Sequence, residues 1–371
     1  MHYSEMERYW IWLSSIDGIG VKRFYQLLSL FEDPRAVWDN ISAPELKFLG
    51  AKTVQALRAA RTDKYLDSLF TMLESAECRA IPRISDDYPS LLSEIYDPPV
   101  TLYVRGECAL CGDRLFAIVG SRRCTRDGQR AAREIAAHLA RENVTLVSGM
   151  ARGVDTFAHQ GALSVHGKTI AVLGSGPDVI YPPENDELAE QILMDGGAIL
   201  SEYIPGTRPN AGHFPARNRI ISGMTLGTLL VEGSSTSGAM ITVNDALEQN
   251  RDVFAIPGSI YSPLSEAPNK LIVDGAHPAI SAWEILDHYR WAQRAEVLPA
   301  KAPVIELSDE ERAIVLPLTE QTLSFEEIAQ ATQILPSKLN SYLTMLELRG
   351  IIVKAPGGMY RAYLDAPIGE N

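Results

Sequence analysis

The sequence predicts an α/β protein: a doubly wound parallel sheet flanked by an N-terminal helical part and a C-terminal winged helix. Three observations predict it. From residue 115 to about 290, short apolar runs alternate with helical patterns, the rhythm of βαβ units. The first apolar run, 115–119, passes directly through Gly120-Ser121-Arg122-Arg123 into a helical pattern, a strand–turn–helix junction. The segments on either side lack this alternation.

Residues 1 to about 76 read as helical. Within them, Ile16-Asp17-Gly18-Ile19-Gly20-Val21-Lys22 resembles the turn of a helix-hairpin-helix or SAM-like unit, whose glycines allow close approach of a phosphate. Phe48-Leu49-Gly50-Ala51-Lys52 is a weaker echo. A small bundle with tight glycine turns fits the same residues, because Asp17, Glu32 and Asp33 leave the surroundings acidic. In 80–114 the prolines exclude a helix interior, and 100–104 reads as an added edge strand. Strands are expected near 115–119, 144–148, 169–173, 198–201, 228–232 and 252–256. Helices are expected near 125–141, 154–166, 184–194, 216–223 and 237–249. Ile135, Ala136 and Leu139 should face the sheet. Residues 291–306 read as a linker. Beyond it, Leu307-Ser308-Asp309-Glu310-Glu311 caps a helix, two more helices begin at Phe325 and Ser337, and a Pro-Gly-Gly turn joins two short strands. That third helix offers only Lys338, Asn340, Ser341 and Arg349 to a duplex groove, so a docking or packing module fits it better.

The chain has 371 residues and a formal net charge of −13, which argues against indiscriminate nucleic-acid binding. The charge is unevenly spread, however. From Arg114 to Lys168 there are nine Arg or Lys against four Asp or Glu. No apolar run approaches the ~20 residues of a membrane span, and the start carries no signal-peptide pattern, so a cytoplasmic protein with no membrane contact is expected. Cys108 and Cys111 have CxxC spacing but no second pair or nearby histidine. Reduced thiols rather than a metal site are expected. No cofactor is called for.

The chemistry concentrates at the carboxyl ends of the strands, where open α/β sheets bind ligands. The turn at Gly120, Ser121, Arg122 and Arg123 precedes a helix N-terminus, whose unpaired N–H groups favour an anion. The next strand ends in Gly149-Met150-Ala151-Arg152-Gly153, and Arg217-Asn218-Arg219 follows a later one. Cations spread over several strand ends suit consecutive phosphates of one strand better than a mononucleotide. Lys168 lies at the other end of the sheet. Phe157, Tyr181, Tyr203, Phe214 and Phe254 are the notable aromatics, too few to make stacking dominant over backbone tracking.

Other ligands fit less well. A dinucleotide fingerprint would need a glycine where Arg122 and Arg123 stand, and Gly174-Ser175-Gly176 runs into Pro177. A nucleotide-hydrolysing enzyme of the phosphoribohydrolase kind is the alternative, with Glu232 or His159 as general base. Yet Gly227-Thr228-Leu229-Leu230-Val231-Glu232 lacks the preceding Pro-Gly-Gly. No nucleophile–base–orienter set can be assembled from spacing. His159 reads as a site-wall or capping residue, and Glu232 as a structural one. No catalytic residue is assigned.

The motifs resemble the DprA/Smf family of DNA-processing proteins. The resemblance spans about 80–290. It rests on Tyr88-Pro89, Asp97-Pro98-Pro99, Gly120-Ser121-Arg122, Ser148-Gly149-Met150-Ala151-Arg152-Gly153-Val154-Asp155 with His159-Gln160-Gly161-Ala162, Tyr181-Pro182-Pro183-Glu184-Asn185, Phe214-Pro215-Ala216-Arg217-Asn218-Arg219 and Phe254-Ala255-Ile256-Pro257-Gly258. It implies an extended Rossmann-like domain at 80–290, with a helical domain at 1–76 and a winged helix at 307–364. It also implies a non-enzymatic homodimer that binds single-stranded DNA, protects incoming DNA and loads a RecA-type recombinase during natural transformation. The phosphate-binding set it implies includes Gly120, Ser121 and Arg122, and Arg217, Asn218 and Arg219. Arg123, Gly149, Arg152 and Gly153 join them from the turns. Asp127, Gly233 and Asn250 depart from the usual Tyr, Ala and Gly; Asp127 adds a negative charge near the turn.

Overall fold

The computed structural model describes residues 3–107, 110, 112–292, 307–355 and 357–363. The chain divides into two compact units, Met1–Gln293 and Arg294–Asn371. Cys108, Cys111 and, of the linker expected at 291–306, residues 293–306 lie outside the described residues.

The first unit is organised on one sheet. Its strands are β1 (Cys78–Pro82), β2 (Thr101–Gly106), β3 (Leu115–Val119), β4 (Thr145–Ser148), β5 (Thr169–Leu173), β6 (Ala198–Ser201), β7 (Gly227–Leu230), β8 (Asp252–Ala255) and β9 (His277–Pro278). Their spatial order is β1-β2-β6-β5-β4-β3-β7-β8-β9. From β6 to β9 all neighbours are parallel, whereas β2 is antiparallel to both β1 and β6. Chain order reverses at β3: the crossovers run outward through β4, β5 and β6, then return to place β7 on its other side. A crevice opens at such a switch point because the connections leave in opposite directions.

Strand β3 is buried on both faces, which is why its sequence is an unbroken apolar run. Leu115, Ala117 and Val119 pack with Ile220, Ile221 and Val243 from helices on one side. Phe116 and Ile118 pack with Ile135, Ala136, Leu139, Val154 and Ala158 on the other. The helix Arg126–Arg141 is thus held by the face expected from its periodicity, and Thr125 caps it through the Gly128 amide at 3.0 Å. The helix expected from 216 starts earlier, at His213, because Phe214 and Pro215 are tolerated in a first turn whose amides need no partner.

The N-terminal helices pack against the antiparallel edge. Trp10 donates its indole N–H to the Val100 carbonyl at 2.8 Å, and Ile11, Leu69 and Leu73 share a core with Cys78, Ala80 and Tyr103. Gly18, between the helices Glu5–Ser14 and Val21–Phe31, has φ +86°, so the turn requires glycine there. In the second unit, helices Asp309–Glu320, Phe325–Thr332 and Pro336–Leu348 precede a hairpin of β10 (Ile352–Ala355) and β11 (Met359–Ala362). This is a winged helix. Ile314, Val315, Leu339, Leu343 and Leu346 form its core. Arg349, expected to be available for contact, donates to Glu311 at 2.7 Å instead.

Among the described residues, no helix is long and apolar enough to cross a membrane.

Candidate nucleic-acid interface

A cavity of about 650 Å³ opens at the switch point. One wall is the turn after β3, with Gly120, Ser121, Arg122 and Arg123. The opposite wall is the turn after β7 and the start of helix Ala239–Glu248, with Ser234, Ser237 and Gly238. Phe214, Arg217 and Asn218, from helix His213–Gly223, close a third side.

The β3 turn is rigid because its neighbours use its backbone. The Ser121 amide donates to the Glu232 carbonyl at 2.7 Å, and the Ser121 carbonyl accepts from the Val154 amide at 3.2 Å. The Ser121 hydroxyl accepts from the Arg123 amide at 3.1 Å. Gly153, at φ +78°, makes this approach possible; a Cβ there would lie 2.2 Å from the Ser121 carbonyl oxygen. The turn therefore presents Arg122 and Arg123 outward, and both are exposed. Among the described residues neither guanidinium has a carboxylate within salt-bridge distance. Arg122 sits 5.9 Å from the centre of the Phe214 ring, and Phe214 packs on Tyr181 with centroids 5.4 Å apart.

Arg217 has a different role. It is 4 % exposed, and its guanidinium donates to the Gly149 carbonyl at 2.6 Å, to the Val172 carbonyl, and to Asn218 Oδ1 at 3.2 Å. The absence of a side chain at Gly149 makes room for it: a Cβ there would be 2.7 Å from the guanidinium carbon. Burial pulls its pKa down to about 10, against the attraction of Asp155. The Asp155 carboxylate accepts from the Gly149 and Ala151 amides at 3.1 and 3.3 Å. Burial pushes it up to about 6, and Arg217 opposes that rise. Arg217 thus reaches the cavity floor as a braced internal cation, positioned between β4 and β5.

Arg152 and Arg219 do not line the cavity. Arg152 pairs with Glu184 through its Nε. Arg219 is gripped by Glu202 at 2.8 Å and Asp97 at 3.1 Å, and it lines a separate cavity of about 460 Å³ beside the glycine turn at 16–20. The expectation of one trough containing all these guanidinium groups is therefore corrected. The structure gathers Gly120, Ser121, Arg122, Arg123, Arg217 and Asn218, and commits Arg152 and Arg219 to carboxylates. The physical reason is local: Glu184 and Glu202 are close enough to neutralise them, and neither partner is adjacent in sequence.

The candidate general bases are also accounted for. Glu232 binds the start of helix Arg126–Arg141, accepting from the Thr125 amide and hydroxyl. The helix N-terminus expected to attract an external anion is thus filled by an internal one. His159 is completely buried, not a site wall; its Nδ1 lies 2.7 Å from the Thr169 hydroxyl. Thr169 donates onward to the Leu146 carbonyl at 3.0 Å. Burial, helped by Arg217, lowers the His159 pKa to about 3. Neither Glu232 nor His159 lines the cavity, and nor does Asp127. Asn250 adopts φ +57°, a conformation asparagine tolerates better than most residues, so its replacement of glycine is structurally accommodated.

Ser234 is not singled out in the sequence; Ser237-Gly238 and Phe214 belong to the motifs shared with the family, but nothing local assigns them to this site. The β7 turn can be found only once β7 is known to lie beside β3.

Comparison with known proteins matches two segments of the chain. Residues 79–290 match the family model of DNA recombination-mediator protein A, and 298–358 match the DprA winged helix domain. The chain belongs to the DprA/Smf family. It is 38 % identical to the Smf protein of Escherichia coli over 331 residues, covering 87 % of this chain and 88 % of that protein. It is 44 % identical to DNA processing protein DprA of Streptococcus pneumoniae over 220 residues, covering 58 % of this chain and 77 % of the relative. The X-ray structure of the S. pneumoniae DprA superposes with a TM-score of 0.63 at 35 % identity, over 77 % of this chain and 98 % of that one. A Helicobacter pylori DprA structure, whose description concerns its single-stranded DNA binding mode, superposes with a TM-score of 0.52 at 27 % identity. That match covers 58 % of this chain and 96 % of the other.

Proposed function

We propose that this DprA/Smf chain binds single-stranded DNA at the switch-point cavity and acts as a recombination mediator. In this reading it shields incoming DNA during natural transformation and loads a RecA-type recombinase, working as a homodimer. The observation that carries the proposal is the pair Arg122 and Arg123, exposed on a braced turn with no carboxylate partner among the described residues, beside the Phe214–Tyr181 aromatic pair. Exposed guanidinium groups serve phosphates, and a neighbouring ring can receive a base. The description of the H. pylori relative supports the same ligand class. Segment 80–290 would grip the strand, with 1–76 and 307–364 as accessory domains.

Fluorescence anisotropy with single- and double-stranded oligonucleotides of several lengths tests the binding step. Preference for single strands, a minimum length of several nucleotides, and affinity falling with log salt at about −0.7 per phosphate neutralised are expected. A response flat in salt would remove the phosphate reading. Recombinase loading is tested separately, by strand exchange on DNA pre-coated with single-strand-binding protein; no acceleration by this chain would confine it to binding.

A further inference from the structure

The far edge of the sheet carries a group of side chains that the DNA-binding reading does not use. Asp252 opens β8, His277 opens β9, and His288 ends the helix Trp283–His288. One ligand atom from each lies within 4.8 Å of the others. We propose that Asp252, His277 and His288 form a binding site for a zinc-class divalent cation that clips the last strand to the sheet.

Four observations support the assignment. First, the donors are two imidazoles and one carboxylate, a set that suits zinc and its first-row neighbours and not the oxygen-seeking Mg²⁺ or Ca²⁺. Second, His288 Nε2 and Asp252 Oδ2 are 3.2 Å apart. Two ligands on one tetrahedral ion, each at about 2.0–2.1 Å, lie about 3.3 Å apart, so this pair is already spaced to share a metal. A ring nitrogen of His277 lies within 4.8 Å of both. Third, the set is supported from behind. Tyr289 donates its hydroxyl to Asp252 Oδ2 at 2.8 Å, and the Phe254 ring packs against His277 at 5.1 Å and His288 at 5.3 Å. A hydrogen bond to the ligating carboxylate and an apolar wall are what orient ligands around a metal.

Fourth, the location has a structural use for it. Strand β9 is paired with β8 only through His277 and Pro278. Such a short edge gains little from ladder hydrogen bonds. A cation joining the start of β8, the start of β9 and the end of the following helix would fix all three with three bonds. His277 and His288 are exposed residues, and the His288 and Asp252 side chains are 32 % and 41 % accessible, so an ion can enter, and three protein ligands leave a fourth position for water.

The test uses the full chain carrying C108S and C111S, which removes the CxxC pair as a competing site. Zn²⁺ alone is titrated calorimetrically, and Co²⁺ is followed by its visible absorption. One ion per chain is expected, with a Co²⁺ spectrum of nitrogen and oxygen ligation lacking a thiolate band. The melting temperature should rise with Zn²⁺. His277→Ala and His288→Ala should each weaken Zn²⁺ binding at least tenfold and abolish the thermal shift. Circular dichroism and single-stranded DNA binding provide the check that both variants fold. Absence of Zn²⁺ binding, or binding unchanged in both folded variants, would leave only a histidine–aspartate ion pair and overturn the proposal. Because Asp252 and His277 open their strands whereas Arg122 follows the end of the parallel strand β3, loss of DNA binding and loss of metal binding are read independently.

Discussion

The Glu232 carboxylate bridges the backbone amide and the hydroxyl of Thr125, at 2.8 and 2.5 Å. Glu232 follows β7 and Thr125 starts the helix that follows β3, so this bridge ties together the two turns that face each other across the cavity. It also determines which groups remain for a ligand. The helix N-terminus is satisfied from within, and the attraction for phosphate rests on the side chains of Arg122 and Arg123.

Glu232→Ala should therefore behave as a stability variant. Loss of two hydrogen bonds to a charged acceptor is expected to cost about 1–3 kcal/mol, measurable by urea denaturation. Single-stranded DNA affinity should be retained or improved once corrected for the folded fraction, since a negative charge beside the turn is removed. Nucleotide turnover by the native chain that disappears in Glu232→Gln would contradict this role.

Arg122→Ala should do the opposite. The side chain is exposed and its removal frees no carboxylate among the described residues, so stability should change by less than about 0.5 kcal/mol. Anisotropy titrations should show single-strand affinity weaker by about 1–3 kcal/mol. The salt slope should become shallower by roughly 0.7 for each phosphate that is no longer neutralised. The same direction is expected for Arg123→Ala.

Arg217→Ala tests the distinction between a braced cation and a surface one. Its removal leaves the Gly149 and Val172 carbonyls without their donor and Asp155 buried without its counter-charge. Breaking such a buried arrangement costs about 3–5 kcal/mol. Denaturation midpoints should fall steeply, and Arg217→Lys should rescue only part of the loss because an ammonium cannot reproduce the planar fork.

His159 makes a pH prediction. Its folded-state pKa is lowered to about 3 from an ordinary 6.5. Between those values the unfolded chain binds a proton that the folded chain excludes, so the His159 contribution is full above pH 6.5 and is lost as pH falls toward 3. Asp155 acts in the reverse sense: with its pKa raised to about 6 from 3.8, it penalises the folded state above pH 6 and the penalty fades on acidification. Comparing native and His159→Gln chains cancels the Asp155 part. The stability advantage of the native chain over the variant should shrink by about 1.4 kcal/mol per pH unit within that window. A pH-independent difference would mean that His159 accepts a proton in the folded state.

Much of the fold was legible because strand and helix periods are properties of short stretches. Leu115 to Val119 had to be a strand buried on both sides, and Ile135, Ala136 and Leu139 had to share a helix face, whatever lay around them. Strand β1 and the two-residue β9 carry no comparable local pattern, and they form because a neighbouring edge is available to pair with. The site was legible to the same extent. The turn at 120–123 announces itself by its glycine and arginines, but Phe214 and the turn at 234–238 join it only through the strand order.

The sequence alone thus determined the central strands and their helices, the family motifs and the turn that bears Arg122 and Arg123, since each depends on residues close together in the chain. Which arginines stay available was decided by tertiary structure. Glu184 claims Arg152, Glu202 and Asp97 claim Arg219, and two carbonyls and a neighbouring asparagine hold Arg217. The reason is electrostatic: a guanidinium group pairs with whichever acceptors folding brings within a few ångströms, and most of those acceptors are tens of residues away in sequence.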